Sequence, residues 1–176
     1  AFCSFNYPSL AKAGIKFSYK PHLILPKPAQ PLEVRKKFDR NIAVLKLFPG
    51  ITPEVVGAVF HAEGLRGVIV EAFGSGNAPT EPWFIEAIGD AIRRGIIVLN
   101  VTQCKAGAVV MGQYEASCEM GRLGVIGGFD ITLEAAVTKM MYLLGTHPDD
   151  PGHVRHCLQL SLRGEITVPN DQICDI

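Results

Sequence analysis

The sequence lacks an excess of charge of either sign: 17 Lys and Arg stand against 17 Asp and Glu in 176 residues. Sequence-independent nucleic-acid binding rests on a basic field, and no dense Lys/Arg stripe supplies one locally, so nucleic acid is not an expected partner. Long apolar runs are absent as well. Stretches such as Val68 to Val70 and Ile96 to Leu99 fall far short of the roughly 20 residues a membrane helix needs, so no membrane span is expected. Residues 1 to 25 carry Lys12, Lys16 and Lys20 but no continuous apolar core, so no secretory signal is read. The Ala1 start reads as a processed or excised chain. No Cys-x-x-Cys pair occurs among Cys3, Cys104, Cys118, Cys157 and Cys174, whose odd number points to free thiols and a reducing, cytoplasmic compartment. Aromatics make up only 8% of the chain, but hydrophobic residues make up 48%, the profile of an ordinary globular domain. A chain of this length buries roughly 70% of its unfolded surface, enough for one sizeable core.

What is there changes character near residue 40. Before it, Pro8, Pro21, Pro26, Pro28 and Pro31 block a continuous helix or central strand, so residues 1–37 read as an irregular connector with one short strand within Lys12 to Phe17. From Asn41 onward, short Val/Ile-rich runs alternate with segments of helical period, the pattern of βαβ units around a buried parallel sheet. The expected fold class is α/β, a three-layer Rossmann-like domain over residues 38–168 with a mostly parallel sheet of about four strands, followed by a tail at 169–176. Strands are expected near Ile42 to Phe48, Gly67 to Phe73, Ile96 to Val101 and Gly124 to Ile126. Thr52-Pro53-Glu54 predicts a helix to about His61, and Thr80-Glu81-Pro82 predicts a second, ending at Gly95. The segment Thr132 to Leu144 has so little polar surface that burial on two sides, one of them a subunit interface, is expected. A last helix should run from Asp150 to about Leu162.

In an open parallel sheet, ligands bind at the carboxyl ends of the strands, where every strand-to-helix loop opens. That edge gathers Thr52, Ser75, Asn77, Thr80, Thr102, Gln103, Lys105 and Asp130, a ring of small donors suited to a small polar or anionic ligand. Thr52, Thr80, Asp130 and Thr132 also read as plain helix caps. Gly74-Ser75-Gly76 lacks the third glycine of a dinucleotide fingerprint, since Pro79 stands there. His153 and His156 share a helical face, but no Cys, Glu or Asp at ligand spacing completes a metal site. Cys104 has no histidine on its edge to activate it, and nothing in the sequence shows that Lys105 and Asp130 meet. The residues therefore reach a binding edge that lacks a nucleophile and its base.

Four ordered motifs around that edge resemble one family. They are Leu47-Phe48-Pro49-Gly50-Ile51, Glu71-Ala72-Phe73-Gly74-Ser75-Gly76-Asn77-Ala78-Pro79, Asn100-Val101-Thr102-Gln103-Cys104 with Gly107, and Gly127-Gly128-Phe129-Asp130-Ile131-Thr132. Together they look like the C-terminal domain of the cytosolic, type I bacterial L-asparaginases. Asn6-Tyr7-Pro8 resembles the end of that family's N-terminal domain, and Leu162-Arg163-Gly164-Glu165 resembles its last helix.

The resemblance implies that the nucleophilic Thr, its Thr-Asp pair and its Lys belong to an N-terminal domain whose motifs this sequence does not contain. The intact enzyme would hydrolyse L-asparagine to L-aspartate and ammonia through an acyl-enzyme, with no metal or organic cofactor, and would be a homo-oligomer. The resemblance also implies that Asn77 and Tyr114 approach a neighbouring subunit's substrate site. Some type I members have a second, activating asparagine site, whose positions here are Thr102, Cys104 and, in place of an Arg, Glu71. That reversal of charge repels an α-carboxylate and puts effector regulation in question. Two other readings are an amidotransferase subunit of the same superfamily, which would want basic surface for RNA, and a free-standing amino-acid sensor using Thr102 and Cys104 without catalysis.

Overall fold

The computed structural model describes residues 5–29, 31–112 and 115–167. Tyr114, Cys3, Cys174 and the expected tail lie outside the described residues. Four parallel strands form the central sheet: β3 (Ile42–Lys46), β4 (Gly67–Ala72), β5 (Ile97–Thr102) and β6 (Ile126–Gly127), in the order β3-β4-β5-β6. A two-residue antiparallel ladder, β1 (Ala11–Lys12) with β2 (Ser18–Tyr19), precedes it in the connector. The strand expected within Lys12 to Phe17 is thus replaced by a loop between two flanking strands.

One register row, Val44, Ile69, Leu99 and Ile126, crosses the whole sheet. Because side chains alternate along a strand, the two faces feed two cores. Val68, Val70 and Val98 pack beneath α1 (Pro53–Phe60) and α2 (Pro82–Arg93) with Val56, Phe84 and Ile88, and Met120 of α3 (Glu115–Leu123) joins them. Ile69, Ile97, Leu99 and Ile126 pack beneath α4 (Leu133–Thr146) and α5 (Pro151–Leu158) with Met140, Leu143 and Val154. Fully burying such a side chain stabilises the fold by about 1.5–3 kcal/mol. All six β4 residues are buried, which explains why that strand reads as a continuous apolar run.

Strand positions agree with expectation to within one or two residues; helix boundaries agree less uniformly. Thr52 caps α1 and Thr132 caps α4, each accepting from the backbone N–H three residues on, at 3.5 and 3.2 Å. Thr80 does not cap α2. Glu81 occupies that position without a side-chain cap bond, because Pro82 takes the first helical position and holds the preceding residue extended. α3 escaped the sequence reading, although Ala116, Met120 and Leu123 recur at helical spacing. α5 stops at Leu158, short of Leu162. Leu162-Arg163-Gly164-Glu165 is a turn and not a helix: Gly164 has φ +84°, and the Glu165 carboxylate accepts from the N–H groups of Leu162 and Arg163 at 3.0 and 2.6 Å.

α4 buries Ala136, Met140, Leu143 and Leu144 against the sheet and packs along α5. Its interior also holds Lys139, whose ammonium reaches Glu165 at 2.8 Å and donates to the carbonyls of Leu158 and Leu160. The second side of α4 is therefore in large part covered from within the domain.

Candidate functional site

At the carboxyl edge of the sheet, the loop after β4 closes on itself. Phe73 and Asn77 exchange backbone hydrogen bonds of 2.9 and 2.8 Å, and Gly76 N–H donates to the Phe73 carbonyl at 3.0 Å. Gly74 and Gly76 have φ of +49° and +100°, which only glycine adopts without strain. A Cβ on Gly76 would also stand 2.7 Å from Val109. The turn leaves the Asn77 side chain exposed, with no bonding partner among the described residues.

Two β5 side chains hold this turn from beneath. Asn100, fully buried, donates from Nδ2 to the Gly76 carbonyl at 2.9 Å. Two residues on, and so on the same face of the sheet, Thr102 donates its hydroxyl to the Gly74 carbonyl while accepting from Cys104 N–H at 2.9 Å. Gln103, read as a ligand donor, spends its amide internally: Nε2 donates to the carbonyls of Leu47 and Glu71 at 2.6 and 2.7 Å, tying the ends of β3 and β4. Asn100 stands in the third sequence motif, but an amide within a strand does not show what it bonds. The returning β4 loop supplies its carbonyl partner, and the same Nδ2 also approaches Met111 Sδ at 3.7 Å.

Glu71 is 9% exposed and pairs with Lys46 on the adjacent strand at 3.2 Å. Lys46 was not recognised from the sequence, yet the parallel register sets it directly beside Glu71. The Glu71 carboxylate is thus paired with the ammonium of its strand neighbour. Thr102 and Glu71 lie on neighbouring strand ends, and Cys104 is exposed on the loop that follows.

The remaining edge residues serve the chain itself. Asp130 accepts from Thr167 N–H at 2.6 Å, and Lys105 lies over the Phe5 ring at 5.7 Å, so the two form no acid/base pair. Asn6 of the connector reaches the same edge, donating to the Gly107 carbonyl at 2.9 Å. A cavity of about 290 Å³ opens there, lined by Asn6, Tyr7, Asp130, Thr132, Arg163 and Thr167 among others.

Cys104 is joined by side-chain hydrogen bond or ion pair to no histidine or carboxylate among the described residues. His153 does have a thiol beside it, contrary to the spacing argument: the Cys157 Sγ lies 3.3 Å from His153 Nε2, one helical turn away. Burial holds that thiol above its ordinary range, in its neutral form. Among the described residues no group of three or more His, Cys, Asp or Glu side chains is placed to hold a metal ion. The edge offers donors and a displayed amide but no paired nucleophile and base among those residues.

Fold and edge together define a three-layer parallel α/β domain whose β4 strand-end loop is braced from β5. Among the described residues no helix is long and apolar enough to cross a membrane. The glutaminase/asparaginase C-terminal domain model matches residues 41–158, and the chain belongs to that family. It is 37% identical over 171 residues to L-asparaginase 1 of Escherichia coli K12, covering 97% of this chain and 50% of that protein. It is equally similar, at 37% over 171 residues, to the human 60 kDa lysophospholipase, of which the match covers 30%. The crystal structure of L-asparaginase I from Vibrio cholerae superposes with a TM-score of 0.87 at 37% identity, over 96% of this chain and 50% of that one. The chain spans about half or less of the length of these relatives.

Proposed function

We propose that this chain acts as the C-terminal domain of an L-asparaginase, hydrolysing L-asparagine to L-aspartate and ammonia together with an N-terminal domain that carries the nucleophile. The observation that carries this reading is the match over nearly the whole chain to half of L-asparaginase 1; the one thiol–imidazole contact among the described residues, Cys157 with His153, lies on α5 with its thiol held neutral by burial, and the strand-end edge carries none. In this reading residues 1–37 are the interdomain connector, 38–168 the domain and 169–176 a tail. Asn77 and Tyr114 approach the substrate site of a neighbouring subunit in a cytoplasmic homo-oligomer. Exposure of the Asn77 amide on a closed turn supports its part, since an orienting group must be both displayed and held. Thr102, Cys104 and Glu71 stand at the effector position in this reading, and a carboxylate there whose lysine neighbour is already paired to it offers an α-carboxylate no unpaired cation, which supports the loss of effector binding.

Hydrolysis of an amide needs an activated nucleophile, a base and oxyanion donors, and among the described residues the strand-end edge offers donors alone. The purified 176-residue chain is expected to release no ammonia from L-asparagine above background. Supplying the catalytic half of a type I asparaginase should restore turnover, and Asn77→Ala should then lower kcat/KM by about tenfold or more with an unchanged denaturation midpoint. Ammonia release by the isolated chain would overturn the reading. The name of the human relative supplies a competing substrate. Fatty-acid release from a lysophospholipid without ammonia release by the complemented enzyme would favour that ester hydrolysis instead.

A further inference from the structure

We infer that Asn100 and Thr102 are positioning residues, two pins on one face of β5 that hold the carbonyls of Gly76 and Gly74 and thereby aim Asn77. The inference rests on the proposed role of Asn77, but its structural half stands on geometry alone. Along β5 the residues Ile97, Val98, Leu99 and Val101 are buried and apolar, as a central strand requires. Asn100 breaks that run at 0% exposure, and its Oδ1 has no hydrogen-bond partner among the described residues. Leaving a buried acceptor unpaired is unfavourable, so an apolar side chain would serve the strand better. What the amide provides, and an apolar group cannot, is the 2.9 Å bond to the Gly76 carbonyl.

The bond falls where it has most leverage. Gly76 immediately precedes Asn77, and the two glycines of the turn contribute no side chains that could fix it by packing. Without the pins, the turn is held by the backbone bonds between Phe73 and Gly76 or Asn77 and by Val110 N–H donating to the Ser75 carbonyl at 3.1 Å. Thr102 is committed in the same way. Its hydroxyl donates to Gly74 and accepts from Cys104 N–H, so its bonding serves the turn on one side and the Cys104 loop on the other. Two donors spaced i, i+2 on a strand thus grip two carbonyls spaced i, i+2 on the turn.

Amide hydrogen exchange on the 176-residue chain tests the inference without any ligand. Asn100→Leu keeps the size but removes the donor, and Thr102→Val removes the hydroxyl isosterically. Each should speed exchange at Gly76 and Asn77 by about tenfold, the worth of one net hydrogen bond, with Val68, Ile69 and Val70 of β4 changed by less than twofold. Asn100→Ser, which retains a shorter donor, should recover part of the protection. Unchanged exchange at the turn in both variants, or equal acceleration in β4, would overturn the pins. The catalytic arm is separate. In the complemented enzyme, Asn100→Leu should reduce kcat/KM, and the loss should be absent in an Asn77→Ala background. A loosened turn with undiminished turnover would leave the pins standing and overturn the part assigned to Asn77.

Discussion

The ammonium of Lys139 lies inside the second core, 6% exposed, with Glu165 at 2.8 Å and two backbone carbonyls as partners. Burial works against the Glu165 carboxylate, but Lys139 and the N–H groups of Leu162, Glu165 and Arg163 outweigh it and hold the carboxyl below its ordinary range. The folded state therefore takes up this proton less readily than the unfolded chain. The resulting stability is present above about pH 4.5 and is lost as pH falls through the folded value. Lys139→Met should cost about 3–5 kcal/mol at pH 7, since it strands a carboxylate and two carbonyls. Urea denaturation at pH 7 and in acid checks this: the deficit should shrink in acid, where Glu165 is neutral, and an equal deficit at both would assign the loss to packing of the lysine stem. At Glu71 the same reasoning concerns binding. With a carboxylate at Glu71 and the Lys46 ammonium already paired to it, no unpaired cation faces an α-carboxylate, so calorimetry of the chain with L-asparagine should show no tight site, whereas Glu71→Arg should gain one that Thr102→Ala removes. Saturable micromolar binding to the unaltered chain would contradict the effect assigned to the charge reversal.

Among the elements, α4 shows how a glycine decides where a distant segment runs. The connector crosses α4 at Gly145, where an added Cβ would stand 2.5 Å from the Lys37 carbonyl oxygen and 2.8 Å from the Phe38 Cα. In an isolated helix Gly→Ala would stabilise by about 1 kcal/mol. Here the connector cannot retreat, because Asp39 N–H donates to the Met141 carbonyl at 2.9 Å and its carboxylate pairs with Arg66 at 2.8 Å. Overpacking against backbone costs roughly 1–3 kcal/mol, so Gly145→Ala should destabilise on balance by about 1–2 kcal/mol in chemical denaturation. A rise in the midpoint would show that the crossing is loose. The elements also mark how far the sequence could be read. β4 and β5 were legible because central parallel strands are buried on both faces and read as Val/Ile-rich runs, and β3, an edge strand with Val44 and Lys46 exposed, because Ile42 to Leu45 is still an apolar run. α1 and α4 were legible because Thr caps announce them. α3 was not, for Glu115–Leu123 lacks a cap signal and carries two glycine-flanked turns around it, and the turn at 162–165 was mistaken for helix because its Glu165 bonds are local in space but invisible as a period.

At the scale of the whole molecule, the connector is the unfinished part. Phe5, Ile15, Phe17, Ile24, Leu32 and Val34 are all exposed, whereas from Asn41 on the large apolar side chains are mostly buried. An apolar surface of that kind calls for a covering partner, in the proposed assembly the catalytic domain or a neighbouring copy. Sedimentation of the isolated chain should accordingly show self-association that rises with concentration. A strict monomer at high concentration would contradict the homo-oligomer, and restoration of a monomer by the added catalytic half would assign the surface to that domain.

What the sequence determined by itself was whatever depends on short range. The parallel α/β class, the strand positions and the gathering of Asn77, Thr102 and Asp130 loops at one edge follow from apolar periodicity, caps and the rule that such loops open on the carboxyl side. The tertiary structure decided how those edge residues spend their hydrogen bonds. Thr102 and Gln103 turn inward, Asp130 closes on Thr167, and Lys46 neutralises Glu71. Those partners lie from 25 to 56 residues apart in the chain. No local pattern encodes such a pairing, because it arises only when strand register and loop closure bring the donor and acceptor within 3 Å or so of each other.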